Sequence, residues 1–121
     1  MIFDEFEMEK SVKLAADVLD EMYPQWYEAI NLDQIYMEDS VSCVLGQLGR
    51  SMNNEFTYPA DEKDYSSLFS DVADRVGDDP DVLVAFDLEA TEAGADAAYN
   101  SGGTGWTTLR EVWRRAIRER L

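Results

Sequence analysis

The chain has 121 residues, 45% of them hydrophobic, and carries 26 Asp and Glu against 10 Lys and Arg, for a net charge of -16. This length and composition predict that residues 1–121 form a single compact acidic domain and exclude a chain that is disordered throughout. A surface this negative repels nucleic acid and anionic membranes, and we therefore expect neither as a ligand. The charge indicates a basic partner, high-salt adaptation or a role in solubility.

The charge is distributed unevenly along the sequence. Residues 1–100 hold 24 acidic and 5 basic side chains, whereas residues 101–121 hold 2 acidic and 5 basic ones. An Arg-rich end on an acidic body either docks onto that body or forms a separate contact surface. Docking is the favoured reading, because cations also stabilise the C-terminal end of a helix.

Apolar residues recur at steps of three and four along much of the chain. This spacing predicts four helices, near residues 8–22, 40–48, 64–76 and 108–120. Pro24 ends the first helix and begins a short further one that carries Trp26. We expect the helices to pack around Leu19, Leu45, Leu68, Phe69, Val72, Trp113 and Ile117.

Capping residues predict where the helices begin and end. Asp39 or Ser40 is placed to cap the second helix, and Gly49 to end it. Gly77 provides a stop for the third helix. A T-x-x-E capping box beginning at Thr108 predicts the start of the last one.

The run 82–88 alternates in a way that predicts a β-strand, with Val82, Val84, Phe86 and Leu88 on one side. A strand needs a partner, and the best candidate is the segment 56–58. Residues 89–98 are Ala-rich and acidic, and form either a short helix or a loop. The expected fold is therefore α+β and mainly α, with four or five helices around one core and a minor two- or three-stranded antiparallel sheet.

Several short blocks stand out when the chain is taken as a whole. They are the Pro24-x-Trp26 turn, the stretch 31–33, the CVLGQL block at 43–48, the stretch 85–87 and a Trp-containing, Arg-rich final helix. In this order the blocks resemble a group of small proteins encoded by bacteriophages of actinobacteria, with CVLGQL the most specific part. Where those proteins usually have Tyr-Gly-Phe-Asp, this chain has Val-Ala-Phe-Asp at 84–87. The resemblance implies an intracellular phage product and attaches no activity to it.

Catalytic chemistry finds little support in the sequence. The chain has no histidine, which removes Ser-His and Cys-His nucleophile pairs and most zinc sites. Cys43 lies in an apolar helical pattern, where a buried and inert thiol is expected. Asp78, Asp79 and Asp81 do not fit a calcium-binding EF-hand loop, because Leu83 stands where that loop needs glycine. We therefore expect no enzyme activity, no catalytic residue, no metal site and no cofactor.

Two functions remain open. The first is a non-enzymatic phage protein that binds and inhibits or redirects a host protein, its carboxylates imitating nucleic-acid phosphates in the basic groove of a host defence or nucleic-acid-processing enzyme. The second is a small structural or regulatory interaction protein whose acidity serves only solubility, and whose partners contact apolar residues near Trp106.

The contact surface is expected where acidic side chains have few basic neighbours, on the helix at 64–76 and the turn after it. The predicted partner-binding residues are Asp64, Asp71, Asp74, Asp78, Asp79 and Asp81, together with Trp106. No apolar run reaches the roughly 20 residues that span a bilayer, and the chain opens without a basic signal region. We therefore expect a cytoplasmic protein that acts inside the host cell.

Overall fold

The computed structural model describes residues 3–53, 63–100 and 104–121. Within these ranges there are six α-helices and no strand: α1 (Glu5–Met22), α2 (Val44–Met52), α3 (Tyr65–Val76), α4 (Pro80–Leu83), α5 (Glu92–Tyr99) and α6 (Gly105–Arg118). Short 3₁₀ turns at Trp26–Ala29, Leu32–Gln34 and Leu88–Ala90 connect them.

The predicted minor sheet is wrong for the part of the chain that the structure describes, and the fold is all-helical instead of α+β. The run 82–88 is not a strand, because Pro80 starts α4 and the Asp79 carboxylate caps it by accepting from the Asp81 N–H at 3.0 Å. All five residues at 82–86 are buried. A short run buried on every side carries no reliable helix or strand period. Its proposed partner at 56–58 lies outside the described residues.

The core lies where α1 crosses α6 and α4. The buried face of α1 is formed by Met8, Val12, Ala15 and Leu19. Trp113 of α6 is fully buried, and its indole N–H donates to the Ala85 carbonyl oxygen at 2.7 Å. The Trp113 ring also meets the edge of the buried Trp26 ring, with centroids 5.9 Å apart. The predicted core is confirmed at all its positions except Phe69, which is only half-buried.

Helix α2 begins and ends four residues later than predicted. Its N-cap is Cys43, whose sulfur accepts from the Gly46 N–H at 3.3 Å, so neither Asp39 nor Ser40 caps it. Burial raises the pKa of the Cys43 thiol, which favours its neutral form. Gly49 lies inside the helix, where a Cβ would come within 3.1 Å of the backbone that leads into α3. That glycine serves close packing and does not end the helix.

Helix α3 follows its sequence signals closely, whereas α6 does not. Asp64 and Ser67 form a capping box at the start of α3, and Gly77 ends it in the left-handed conformation with φ 64°. Helix α6 begins at Gly105, so Thr108 is inside the first turn and the predicted capping box is wrong. A Cβ at Gly105 would lie 2.5 Å from the Ala97 carbonyl oxygen, so glycine allows α6 to start against α5.

The longest helix, α1, has 18 residues and an exposed face rich in charged side chains. Across the described ranges, no helix combines the length and the apolar character needed to cross a membrane.

Candidate partner-binding surfaces

Two arginines of the C-terminal segment, Arg115 and Arg120, dock onto the acidic helix α1. Arg115 of α6 contacts Glu5 at 2.7 Å and Glu9 at 3.0 Å. Arg120, just beyond the helix, contacts Asp20 at 3.0 Å. The favoured prediction for the Arg-rich end is therefore confirmed for Arg115 and Arg120, which neutralise part of the acidic charge of α1.

Arg120 occupies a site built from an aromatic ring and a carboxylate. Its guanidinium lies 5.9 Å from the Trp26 ring centroid, and its Nε lies 3.1 and 3.2 Å from the two Asp20 oxygens. The Trp26 indole N–H donates to the same carboxylate at 2.8 Å. The hydrogen bond from Arg120 lowers the pKa of Asp20, against the opposing effect of its partial burial. Trp26, Asp20 and Arg120 are called the Arg120 cluster below.

Five predicted site residues lie close together on the second half of α3, the following turn and the start of α4. We call them the α3–α4 acidic surface: Asp71, Asp74, Asp78, Asp79 and Asp81. All five are exposed. Among the described residues, every carboxylate that takes part in an ion pair belongs to α1 or α6, so none of these five does.

The one basic residue within this stretch of sequence, Arg75, pairs with a carboxylate of another helix. Arg75 lies between Asp74 and the turn, but its guanidinium binds Glu21 of α1 at 2.7 Å. Asp71 lies beside the Tyr23 hydroxyl, where burial and then the Asp71 charge raise the pKa of Tyr23. The surface therefore keeps its negative charge available, as the sequence predicted from the scarcity of basic neighbours.

Asp64 is set apart from the other predicted aspartates. It is the N-cap of α3, and its carboxylate accepts from the Ser67 N–H at 2.9 Å. The nearest member of the α3–α4 acidic surface, Asp71, lies seven residues further along the helix, about 10.5 Å at 1.5 Å per residue. Asp64 stabilises the start of α3 and lies about two helical turns from the other predicted aspartates.

Trp106 lies in the first turn of α6, half-buried and packed against the core. The end of α5 faces it, because the close contact of Gly105 with Ala97 brings the two helices together. Tyr99, the last residue of α5, is 61% exposed. The Glu89 carboxylate beside its hydroxyl raises the pKa of Tyr99, and the Trp106 side chain on that hydroxyl acts in the opposite direction.

Asp87 completes this second surface, which we call the aromatic–acidic patch: Asp87, Glu89, Tyr99 and Trp106. Asp87 caps the 3₁₀ turn by accepting from the Glu89 N–H at 2.9 Å. The turn is held against α5 at Gly94, where a Cβ would lie 2.3 Å from the Leu88 carbonyl oxygen. Tyr65 of α3 is nearby, and burial followed by the Asp87 charge raises its pKa.

Sequence reasoning placed Trp106 among the contact residues but missed the other three members of the patch. The alternation at 82–88 predicts a strand that includes Asp87, and Glu89 and Tyr99 lie in or next to a segment predicted to be a helix or a loop. The signal that could have found them is the glycine content, since Gly94 and Gly105 mark the two close approaches that fold α5 back.

In residues 3–53, 63–100 and 104–121, no three Cys, Asp or Glu side chains converge on a point that could hold a metal ion. Both surfaces present carboxylates, and the aromatic–acidic patch also presents aromatic rings. Carboxylates and aromatic rings both bind cations. In comparisons with known proteins, no protein-family model, no curated protein and no solved structure matches the chain.

Proposed function

We propose that the chain is a non-catalytic phage protein of the host cytoplasm that binds a basic surface of a host protein and inhibits or redirects it. The α3–α4 acidic surface makes the contact by imitating the phosphates of a nucleic acid. One observation carries the proposal: all six carboxylates of α1 form ion pairs with Lys or Arg, whereas the five aspartates of this surface, which follow one another closely along the chain, have no ion-pair partner among the described residues.

The spacing of the aspartates supports mimicry of a nucleic-acid strand. Asp71 and Asp74 are separated by about 4.5 Å along the helix axis, at 1.5 Å per residue. The turn then adds Asp78, Asp79 and Asp81 beyond the end of α3. Phosphates of one DNA strand succeed one another every 3.4 Å or so along the duplex axis. A groove of Lys and Arg side chains that binds a DNA strand therefore meets a comparable density of negative charge on the α3–α4 acidic surface.

The alternative function, an interaction protein that binds through the Trp106 region, is supported by a different observation. Tyr99 is largely exposed beside a half-buried Trp106, which gives a partner an aromatic surface to cover. The two functions differ in their response to salt. Binding through the α3–α4 acidic surface weakens steeply as ionic strength rises, whereas an apolar contact persists.

A capture experiment with competing DNA tests the proposal. The tagged protein is immobilised, host-cell lysate is passed over it, and bound proteins are eluted with duplex DNA. The four-Asn variant carries Asp71→Asn, Asp74→Asn, Asp78→Asn and Asp79→Asn. A dispersed control variant loses the same charge at exposed positions elsewhere through Glu28→Gln, Asp33→Asn, Glu38→Gln and Asp96→Asn.

Under the proposal, the wild-type protein and the dispersed control retain a nucleic-acid-binding host protein that DNA displaces, and the four-Asn variant does not. Equal recovery on the four-Asn variant would count against the α3–α4 acidic surface. Recovery that DNA does not reverse would count against mimicry.

A further inference from the structure

A polar pocket lies beside α2, next to the CVLGQL block. Its volume is about 360 Å³, which is within the range of small-molecule sites in proteins. Three parts of the chain form it, namely the 26–29 turn, the segment 34–42 and the second half of α2. We call it the Arg50 pocket, and its lining residues are Ala29, Gln34, Ser42, Gln47, Arg50 and Ser51.

The Arg50 pocket differs in charge from other concave parts of this acidic chain. Asp and Glu make up 26 of the 121 residues, yet none of them lines this pocket, and Arg50 gives the lining a positive charge. By contrast, three carboxylates line the groove between α1 and α6, and three line the hollow where the start of α1 meets α5 and α6. The Arg50 pocket is therefore suited to an anion, which most of the surface repels.

Arg50 keeps its charge available to a ligand. It is exposed in the last turn of α2. Among the described residues its guanidinium forms no ion pair, whereas a carboxylate holds each of Arg75, Arg114, Arg115 and Arg120. The planar guanidinium can donate two parallel N–H bonds to two oxygens of one anion.

Gln47, in the CVLGQL block, fixes the walls of the pocket. Its Oε1 accepts from the Asn31 N–H at 2.7 Å, and its Nε2 lies 2.9 Å from the Ser42 carbonyl oxygen and 3.2 Å from that of Gln34. These bonds use the backbone of Ser42 and Gln34 and leave the Ser42 hydroxyl and the Gln34 amide without a bond to any described residue. The pocket is thus preorganised, and a ligand binds it without first ordering the segment 31–42.

We propose that the Arg50 pocket binds a phosphate group, either free phosphate or the phosphate of a small phosphorylated molecule. Arg50 donates to two phosphate oxygens, and the Ser42 hydroxyl and Gln34 amide donate to the others. Donors from three separate segments suit a tetrahedral anion, whereas the guanidinium alone can satisfy a planar carboxylate. This site goes beyond the proposed function, because it takes an anion and the α3–α4 acidic surface takes a basic protein.

A titration followed by NMR tests the site. Sodium phosphate, adenosine monophosphate and sodium acetate are added separately at constant pH and about 150 mM ionic strength, which screens the negative charge of the chain. The backbone signals of Ser42 and Arg50 and the side-chain amide signal of Gln47 should move and saturate with phosphate. Acetate, with one charge and a planar shape, should bind at least about threefold more weakly. Tighter binding of adenosine monophosphate than of phosphate identifies a phosphorylated molecule as the ligand, and equal or weaker binding identifies free phosphate.

Two variants and a matched control decide the assignment. Arg50→Gln should weaken phosphate binding by about fivefold or more, and Arg50→Lys, which keeps the charge but loses the planar fork, should fall between it and wild type. Arg118→Gln removes the same charge from an exposed position on α6 and should leave the affinity within about 1.5-fold, because screened distant charges contribute little.

Three results would overturn the proposal: no movement of the Ser42, Gln47 and Arg50 signals, equal weakening by Arg118→Gln and Arg50→Gln, or acetate binding as tight as phosphate binding. The four-Asn variant leaves the Arg50 pocket intact and should bind phosphate as wild type does. Failure of the phosphate site and failure of the proposed function are therefore seen in separate measurements.

Discussion

The four-Asn variant should fold normally and be slightly more stable than the wild-type protein at low salt. Asp71, Asp74, Asp78 and Asp79 form no ion pair within the described residues, so no salt bridge is lost, and an Asn at position 71 can still accept from the Tyr23 hydroxyl. Asn at position 79 can still cap α4, because its side-chain oxygen accepts the same hydrogen bond. Two like charges about 7 Å apart in water repel by about 0.6 kcal/mol before screening. Removing the four negative charges should therefore raise the free energy of unfolding by roughly 0.5 to 1.5 kcal/mol.

A matched variant on α1 should behave in the opposite way. Its substitutions are Glu5→Gln, Glu9→Gln, Asp17→Asn and Asp20→Asn, which remove the same charge. These four carboxylates make four ion-pair contacts with Arg115 and Arg120. Exposed pairs contribute about 0.2 to 1 kcal/mol each, so the free energy of unfolding should fall by about 1 to 3 kcal/mol at low salt.

Urea unfolding followed by circular dichroism at 222 nm measures both changes. Moderate salt should stabilise the wild-type protein by screening its unpaired carboxylates, and this salt response should be smaller in the four-Asn variant. A four-Asn variant less stable than wild type by more than about 1 kcal/mol would refute the reasoning, because it would mean that the aspartates stabilise the fold. The unfolding slope should match that of the wild type, which controls for a change of native state.

Three further predictions concern the core, the Arg120 cluster and a close helix contact. Leu68→Ala should lower the free energy of unfolding by about 2 to 5 kcal/mol in urea titrations, and Phe69→Ala should lower it by about 1 to 2 kcal/mol, because only Leu68 is fully buried. Equal losses in the two variants would contradict this packing. The lowered pKa of Asp20 stabilises the fold above the ordinary carboxyl pKa of 3.8, and this contribution is lost as the pH falls below it. Melting temperatures from pH 2 to 6 should therefore depend less on pH in Arg120→Ala, and an unchanged profile would argue against the ion pair. Gly94→Ala places a Cβ 2.3 Å from a backbone oxygen and should cost about 1 to 3 kcal/mol by thermal unfolding, whereas an unaffected midpoint would show that α5 can move away.

Local signals in the sequence predicted the elements that depend on local chemistry. The range of helix α3 and its stop at Gly77 were predicted, because helical period and left-handed backbone are properties of a few neighbouring residues, whereas its cap at Asp64 was not. The buried face of the last helix, with Trp113, was found for the same reason, since helical period is read within one segment. The α3–α4 acidic surface could also be predicted, because its five aspartates are neighbours along the chain.

The features that were missed depend on contacts between distant parts of the chain. The alternation of 82–88 predicts a strand, but tertiary packing buries all of 82–86, so the pattern does not mark an exposed face. Gly49 was read as a helix stop, although it serves the approach of α2 to the start of α3. The aromatic–acidic patch joins the 88–90 turn, α5 and α6, and apart from Gly94 and Gly105 the sequence carries no signal of that meeting.

The central claim is that a basic partner meets the α3–α4 acidic surface, and association kinetics test it most directly. Once the partner is isolated by capture, stopped-flow association rates are measured for wild type, the four-Asn variant and the dispersed control between about 50 and 500 mM salt. The wild-type rate should fall steeply with salt, the dispersed control should follow it closely, and the four-Asn variant should associate more slowly with a flatter salt dependence. A four-Asn variant that matches the wild type in both rate and salt dependence would contradict the claim and place the contact at the Trp106 region or the C-terminal helix.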